Sequence, residues 1–173
     1  MAKLLVVVDY QIDFVDGALG FKGAEKIAPS IASLIKEFRK NNDDVVFTFD
    51  THDADYLNTT EGKYLPVPHC LKGSKGWGLY PEIASLLGDA KIFEKPGFGS
   101  KELGHYIEEH SYDEIYLCGL VSDMCVFSNA IIAKSSASPY ARIKVVRDAT
   151  SSFDLEMQEK AFDVLKHLHI EII

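Results

Sequence analysis

The sequence predicts a three-layer α/β/α sandwich, a mostly parallel six-stranded sheet with helices on both faces, in a single domain over residues 1–173. Three observations predict it. Short runs of Val, Leu, Ile and Phe lack polar alternation, as strands buried on both faces require. Segments with apolar residues at helical spacing separate those runs, the pattern of repeated strand–helix crossovers. A chain of 173 residues supports one core and is too short for two ordinary domains.

Each element follows from its own pattern. Lys3–Val8 reads as a buried strand of Leu and Val. Ala24–Lys40 carries Ile27, Ile31, Leu34, Ile35 and Phe38 along one helical face. Asp44–Phe49 is a second strand, ending at Asp50. Thr51–Gly78 shows no period and is rich in Gly, Pro, Asn and Thr, so it reads as a long loop, a length that marks function or disorder. Pro81–Leu87 is a short helix, Lys91–Phe93 a third strand, Lys101–Glu109 a helix and Glu114–Cys118 a fourth strand. Asp123–Ala133 is helical, Ile143–Val146 a fifth strand, Asp154–His167 a helix and His169–Ile173 a last strand.

Composition narrows the function. Hydrophobic residues make up 47% and charged residues 25%, and the net charge is −8. That charge argues against nucleic acid and anionic membrane as partners. No run approaches the roughly 18 apolar residues of a membrane span. Leu4–Val8 is too short for a signal sequence, and Asp9 interrupts it. Three cysteines, Cys70, Cys118 and Cys125, form no paired framework, which points to a reducing cytoplasm.

In parallel sheets, ligands bind at the carboxyl ends of the strands. That edge collects Asp9, Asp50, His52, Lys95, the segment Gly119–Cys125 and Asp148. Cys125 stands where a strand runs into a helix, whose first-turn N–H groups lower a thiol pKa and bind an oxyanion. Asp9 can take the thiol proton, and Lys95 can hold both anions. The backbone N–H groups of Val121 and Cys125 would cradle the oxyanion, and the set suits amide hydrolysis. A lone cysteine at a helix start is more often core packing; the combination of three groups on one edge favours chemistry. Cys118 reads as inert core. Asp50 and His52 alternate by two on an extended segment, and His69 follows Pro68, so the three read as metal ligands. Glu61, Asp53 and Asp55 are further candidates, and such a mixed donor set suits zinc, iron or manganese. A metal there could orient a ring nitrogen of the substrate, since a nucleophile is already present.

The segments Asp9–Phe14, Gly17–Leu19 and Gly23–Glu25 resemble the opening of the isochorismatase-like cysteine hydrolases. The likeness continues through Asp50–His52, Pro68–Gly76, Glu94–Pro96 and Gly119–Val126, in order along almost the whole chain, and is nearest to the nicotinamidase branch, which also accepts pyrazinamide. The resemblance implies an Asp9, Lys95, Cys125 triad, a thioester intermediate and release of ammonia from nicotinamide in NAD salvage. It implies a cis peptide between Leu120 and Val121 beside an oxyanion hole of Val121 and Cys125 N–H groups. It implies one divalent metal, zinc foremost, on Asp50, His52 and His69, with Glu61 as fourth ligand. Many relatives have a histidine where this chain has Asn58, which stays an alternative. Phe14 would lie against the pyridine ring. A tryptophan common in that branch is replaced by Pro66, so Leu19, Phe21, Tyr64 and Trp77 are candidates for the other wall. The segment Lys95–Ser100 departs from the usual serine-rich version. Gln11 and Asp13 would support the site, Asp13 by positioning Lys95 or a water. The partner implied is a small carboxamide; a homo-oligomer is left open. The alternative is another small-carboxamide or ureido amidohydrolase of the superfamily. A non-catalytic binding domain fits less well with the complete triad, and no Gly-x-Gly-x-x-Gly follows the first strand to support a dinucleotide fold.

Overall fold

The computed structural model describes residues 1–173. Six strands form one all-parallel sheet in the order β3-β2-β1-β4-β5-β6: β1 Lys3–Val8, β2 Asp44–Asp50, β3 Lys91–Lys95, β4 Glu114–Leu120, β5 Arg142–Ser151 and β6 Glu171–Ile172. Seven helices complete the chain: α1 Ile12–Val15, α2 Ala28–Lys40, α3 Thr60–Tyr64, α4 Pro81–Ala84, α5 Lys101–Glu109, α6 Cys125–Ser136 and α7 Leu155–His167.

Strand alternation sorts the core into two halves. Leu5 and Val7 face one way with Phe47 and Cys118, under Ile31 and Ile35 of α2 and Ile83 of α4. Leu4, Val6 and Val8 face the other way with Val46 and Phe93, under Leu103 of α5, Val126 of α6 and Phe162 of α7. The sheet is thus covered on both faces, which is why its strands read as continuous apolar runs.

Several boundaries differ from the sequence pattern. The helix expected from Ala24 begins with a 3₁₀ turn, Ala24–Ile27, before α2 starts at Pro29's turn. The helix expected from Asp123 starts at Cys125 and runs on to Ser136. The long loop contains a 3₁₀ turn, Tyr56–Asn58, and α3, both too short to display a helical period. β3 extends through Lys95, and β5 extends through Ser151 with an irregular register opposite Leu117–Gly119. Asp148 is therefore an exposed residue within β5, not a rim residue after it.

β1 lies between β2 and β4, so its carboxyl end is flanked by theirs. The close approach there depends on Gly119, whose φ is 107°; a Cβ at this position would run into the Val8 backbone.

Candidate active site

Asp9 is the first residue past β1. It sits at φ 43°, a left-handed conformation that Asp tolerates better than most residues and that is held by its surroundings. Its N–H donates to the Thr48 carbonyl at 3.1 Å, and its Oδ1 accepts from Thr48 Oγ1 at 2.6 Å. Its Oδ2 lies 2.6 Å from Lys95 Nζ. Lys95 is the last residue of β3 and only 1% exposed, against the usual habit of a lysine. Its Nζ also donates to the Gly97 carbonyl at 2.9 Å and lies 3.4 Å from Cys125 Sγ. Cys125 opens α6 and is buried. The thiol, carboxylate and ammonium of three separate strand ends thus meet at one point.

Burial dominates the proton affinities. It pushes Asp9 above the usual carboxylate range, the Lys95 charge opposing and the Asp50 charge reinforcing the shift. It would lower Lys95, but the charges of Asp9, Cys125 and Asp50 more than reverse that, so the amine stays protonated. Burial, with Asp9 and Asp50 nearby, pushes the Cys125 thiol well up despite Lys95. Desolvation and two carboxylates thus oppose the helix end that was expected to lower this thiol. Asp9, a raised-pKa carboxylate beside it, is the group equipped to take the thiol proton.

The backbone N–H groups of Val121 and Cys125 have no acceptor within the protein, and both residues line the cavity that Cys125 opens into. The Leu120–Val121 peptide is cis, as the resemblance implied.

A second cluster adjoins the first. One ligand atom each from Asp50, His52, Glu61 and His69 lie within 4.8 Å of one another. Asp50 Oδ2 is 2.9 Å from His52 Nε2 and 3.2 Å from His69 Nε2; Glu61 Oε1 is 3.9 and 3.6 Å from the same two nitrogens. His69 Nδ1 donates to the Val67 carbonyl at 2.8 Å, which turns Nε2 toward the cluster. Tyr56 packs edge-on against both imidazoles, with ring centroids 4.7 and 5.0 Å away. Burial and the Asp50 charge push the Glu61 carboxyl up, while hydrogen bonds from His52 and His69 overcome burial and hold Asp50 well down. Two nitrogens and two carboxylates converging in a buried pocket fit a tetrahedral divalent ion such as zinc. Asp53 is exposed and Asp55 and Asn58 are exposed in or beside the 3₁₀ turn, and neither aspartate joins the cluster. Asp50 also touches the first cluster, its Oδ1 lying 3.6 Å from Lys95 Nζ.

Two supporting residues are now resolved. Gln11 is fully buried: its Nε2 donates to the Asp50 carbonyl at 2.9 Å and the Trp77 carbonyl at 2.8 Å, and its Oε1 accepts from the Asp50 N–H at 2.8 Å. Asp13 does not serve Lys95. Its carboxylate accepts from the Cys70 N–H at 2.7 Å and the Ala18 N–H at 3.1 Å, tying the chain after α1 to the histidine loop.

A cavity of about 970 Å³ reaches both clusters. Phe14, Leu19, Phe21 and Tyr64 line it, with Phe14 packed edge-on to His69 at 5.6 Å. Trp77 does not: its ring packs against Phe49, and its Nε1 donates to Thr51 Oγ1 at 2.9 Å. The expectation of Trp77 as a ring wall is corrected, because its apolar face is spent on the core. Sequence reasoning missed Phe98, Met124 and Phe153, which also line the cavity. Phe98 and Phe153 follow β3 and β5, so the strand-end rule could have found them.

Comparison with known proteins agrees with this architecture. The sequence profile of the Isochorismatase domain matches residues 3–173. The chain is 33% identical over 169 residues to the uncharacterized isochorismatase family protein PncA of Bacillus subtilis, covering 90% of each. It is 28% identical to a nicotinamidase of Acinetobacter baylyi, covering 87% of this chain and 82% of that one. Among solved structures, pyrazinamidase of Pyrococcus horikoshii in complex with zinc superposes with a TM-score of 0.87 at 26% identity, covering 100% of this chain and 99% of the other. With the profile spanning nearly every residue and the overall fold superposing, this chain belongs to the isochorismatase family of hydrolases, and its relatives include nicotinamidases and pyrazinamidases.

Proposed function

We propose that the chain hydrolyses nicotinamide to nicotinate and ammonia through a thioester on Cys125, as part of NAD salvage in a reducing cytoplasm. One observation carries the reading: Cys125, which Lys95 joins to Asp9, opens into the same cavity as Asp50, Glu61 and His69 of the ligand cluster. The named nicotinamidase and pyrazinamidase relatives support it.

The reaction balances on these residues. Asp9 takes the thiol proton as sulfur attacks the amide carbon, and the carbonyl electron pair moves to oxygen. The free Val121 and Cys125 N–H groups donate to that oxyanion. Asp9 returns the proton to the amide nitrogen, the C–N bond breaks and ammonia leaves. Asp9 then takes a proton from water, which attacks the thioester carbon; the C–S bond breaks, and the proton restores the thiol. Lys95 stays charged throughout and holds Asp9 and the transient thiolate together. Asp50, His52, Glu61 and His69 would hold the metal, zinc foremost, which supplies a Lewis-acid contact for a ring nitrogen when bound.

A second reading, another small-carboxamide or ureido amidohydrolase, draws on the position of Trp77 outside the cavity, which leaves the ring pocket without that wall. Ammonia release from nicotinamide by the zinc-supplemented protein, with Cys125→Ala as control, separates these. We expect steady release that the variant loses by at least about 10³-fold. Absence of release from the wild-type chain would sink the nicotinamidase reading.

A further inference from the structure

The cavity is larger and more apolar than a single pyridine ring with its carboxamide requires. At about 970 Å³ it lies at the upper end of the roughly 300–1,000 Å³ typical of drug-sized ligands. Its depth is graded. Cys125, His69, Asp50 and Val121 are buried at the inner end. Phe98, Tyr64, Met124 and Phe153 are 49%, 88%, 37% and 61% exposed, so they stand at the mouth. These four come from four separate segments, after β3, at the end of α3, before α6 and after β5. Phe153 is backed edge-on by Phe21 at 6.2 Å. Apolar side chains gathered around an opening and left in water mark a binding surface. The lining includes no lysine or arginine, so no basic side chain at the mouth pairs with an anionic substituent.

We propose that the site takes aromatic carboxamides that carry an uncharged apolar substituent on the ring, and that Phe98, Met124 and Phe153 grip that substituent at the mouth. The proposal rests on the amidohydrolase reading and adds the substrate class. The scissile amide lies against Cys125 and the ring against Phe14. The same cavity runs from Cys125 to the exposed Phe98, Met124 and Phe153, so a substituent directed outward gains apolar contact there. A carboxylate-bearing substituent gains none of this contact and loses hydration against the apolar rim.

The test is a matched series: nicotinamide, its ring-butyl and ring-phenyl derivatives, and a ring-carboxylate derivative as control. Turnover is read as kcat/KM on the wild-type chain, and affinity as Kd on the Cys125→Ala variant, so that binding is measured whether or not the amide is cleaved. We expect the phenyl derivative to exceed nicotinamide by about tenfold or more in affinity, from the apolar area it buries, and the carboxylate to show no gain. Phe153→Ala, at an exposed position where truncation leaves the core intact, should cut the phenyl-to-nicotinamide ratio several-fold. Nicotinamide turned over with no gain for the phenyl derivative in either measurement would overturn this inference while leaving the proposed function standing. No cleavage of any amide, with the phenyl gain still present in Kd, would sink the proposed function and keep the binding class. Dimerisation through this rim, with the extended amides excluded, would also overturn the inference.

Discussion

Gln11 has no reacting atom, yet it fixes the residue on which both clusters depend. Its amide grips Asp50 from both sides of the backbone, at N–H and at carbonyl, and ties it to Trp77. Gln11→Met keeps the volume and leaves those three buried backbone groups without partners, at about 1–3 kcal/mol each for the groups that find no water. We expect zinc affinity, measured by chelator competition, to fall by about 10–100-fold, the usual cost of losing an outer support of a metal ligand. Gln11→Glu should restore part of it by retaining one acceptor for the Asp50 N–H; unaltered zinc affinity in both variants would remove Gln11 from the site. The meeting of Cys125, Asp9 and Lys95 was legible in the sequence because each follows a strand end, where topology alone predicts convergence. Gln11 was legible only as a possible support, since the worth of a buried amide depends on which backbone it faces. The upward push on the Cys125 thiol was not legible either, because it comes from burial, Asp9 and Asp50, which only the assembled site brings together.

At the scale of elements, the segment Thr51–Gly78 shows how function hides from periodicity. Its two ligand-bearing ends are extended and recognisable, while α3, which carries Glu61, is a helix of only five residues. Thr59 caps it, Oγ1 accepting from the Gly62 N–H at 3.0 Å, which makes the turn a rigid carrier and not a loose loop. Thr59→Ala should cost about 1 kcal/mol locally. The readout is specific: zinc affinity should fall while the stability of the sheet, followed by amide exchange in β1 and β4, stays unchanged. Loss of protection throughout the sheet would place the effect in the fold instead of the ligand turn. The large helices and the first five strands were readable because each spans enough residues to show its period or its apolar run, whereas β6 keeps only Glu171–Ile172 of the strand expected over His169–Ile173. The extension of β5 was not, because Arg147 and Asp148 interrupt the apolar pattern where the strand's register against β4 becomes irregular.

For the whole molecule, charge at the end of the sheet away from the site matters to stability. Glu114, at the start of β4, accepts from Lys144 Nζ at 2.5 Å and from Arg142 Nη1 at 3.2 Å. The hydrogen bond from Lys144 is the first cause that draws its carboxyl down from 4.5 to about 2. A depressed carboxyl stabilises the fold fully above its unfolded value, and that contribution fades as pH falls from 4.5 through about 2. Glu114→Gln should cost about 2 kcal/mol at neutral pH and flatten the acid limb of the unfolding curve; an unchanged limb in chemical denaturation would assign acid sensitivity elsewhere. The same strand pairing has a kinetic side. β1 sits in register with β4 from Lys3 opposite Glu114 to Val8 opposite Gly119, so partners more than a hundred positions apart must find each other. Loop closure of that span makes central pairing a late and slow event in folding. Asp9 and Cys125, the proposed base and nucleophile, lie beyond β1 and β4, on opposite sides of that seam. A growing or half-folded chain therefore carries no competent thiol pair, and the return of activity during refolding times the closing of the sheet's centre.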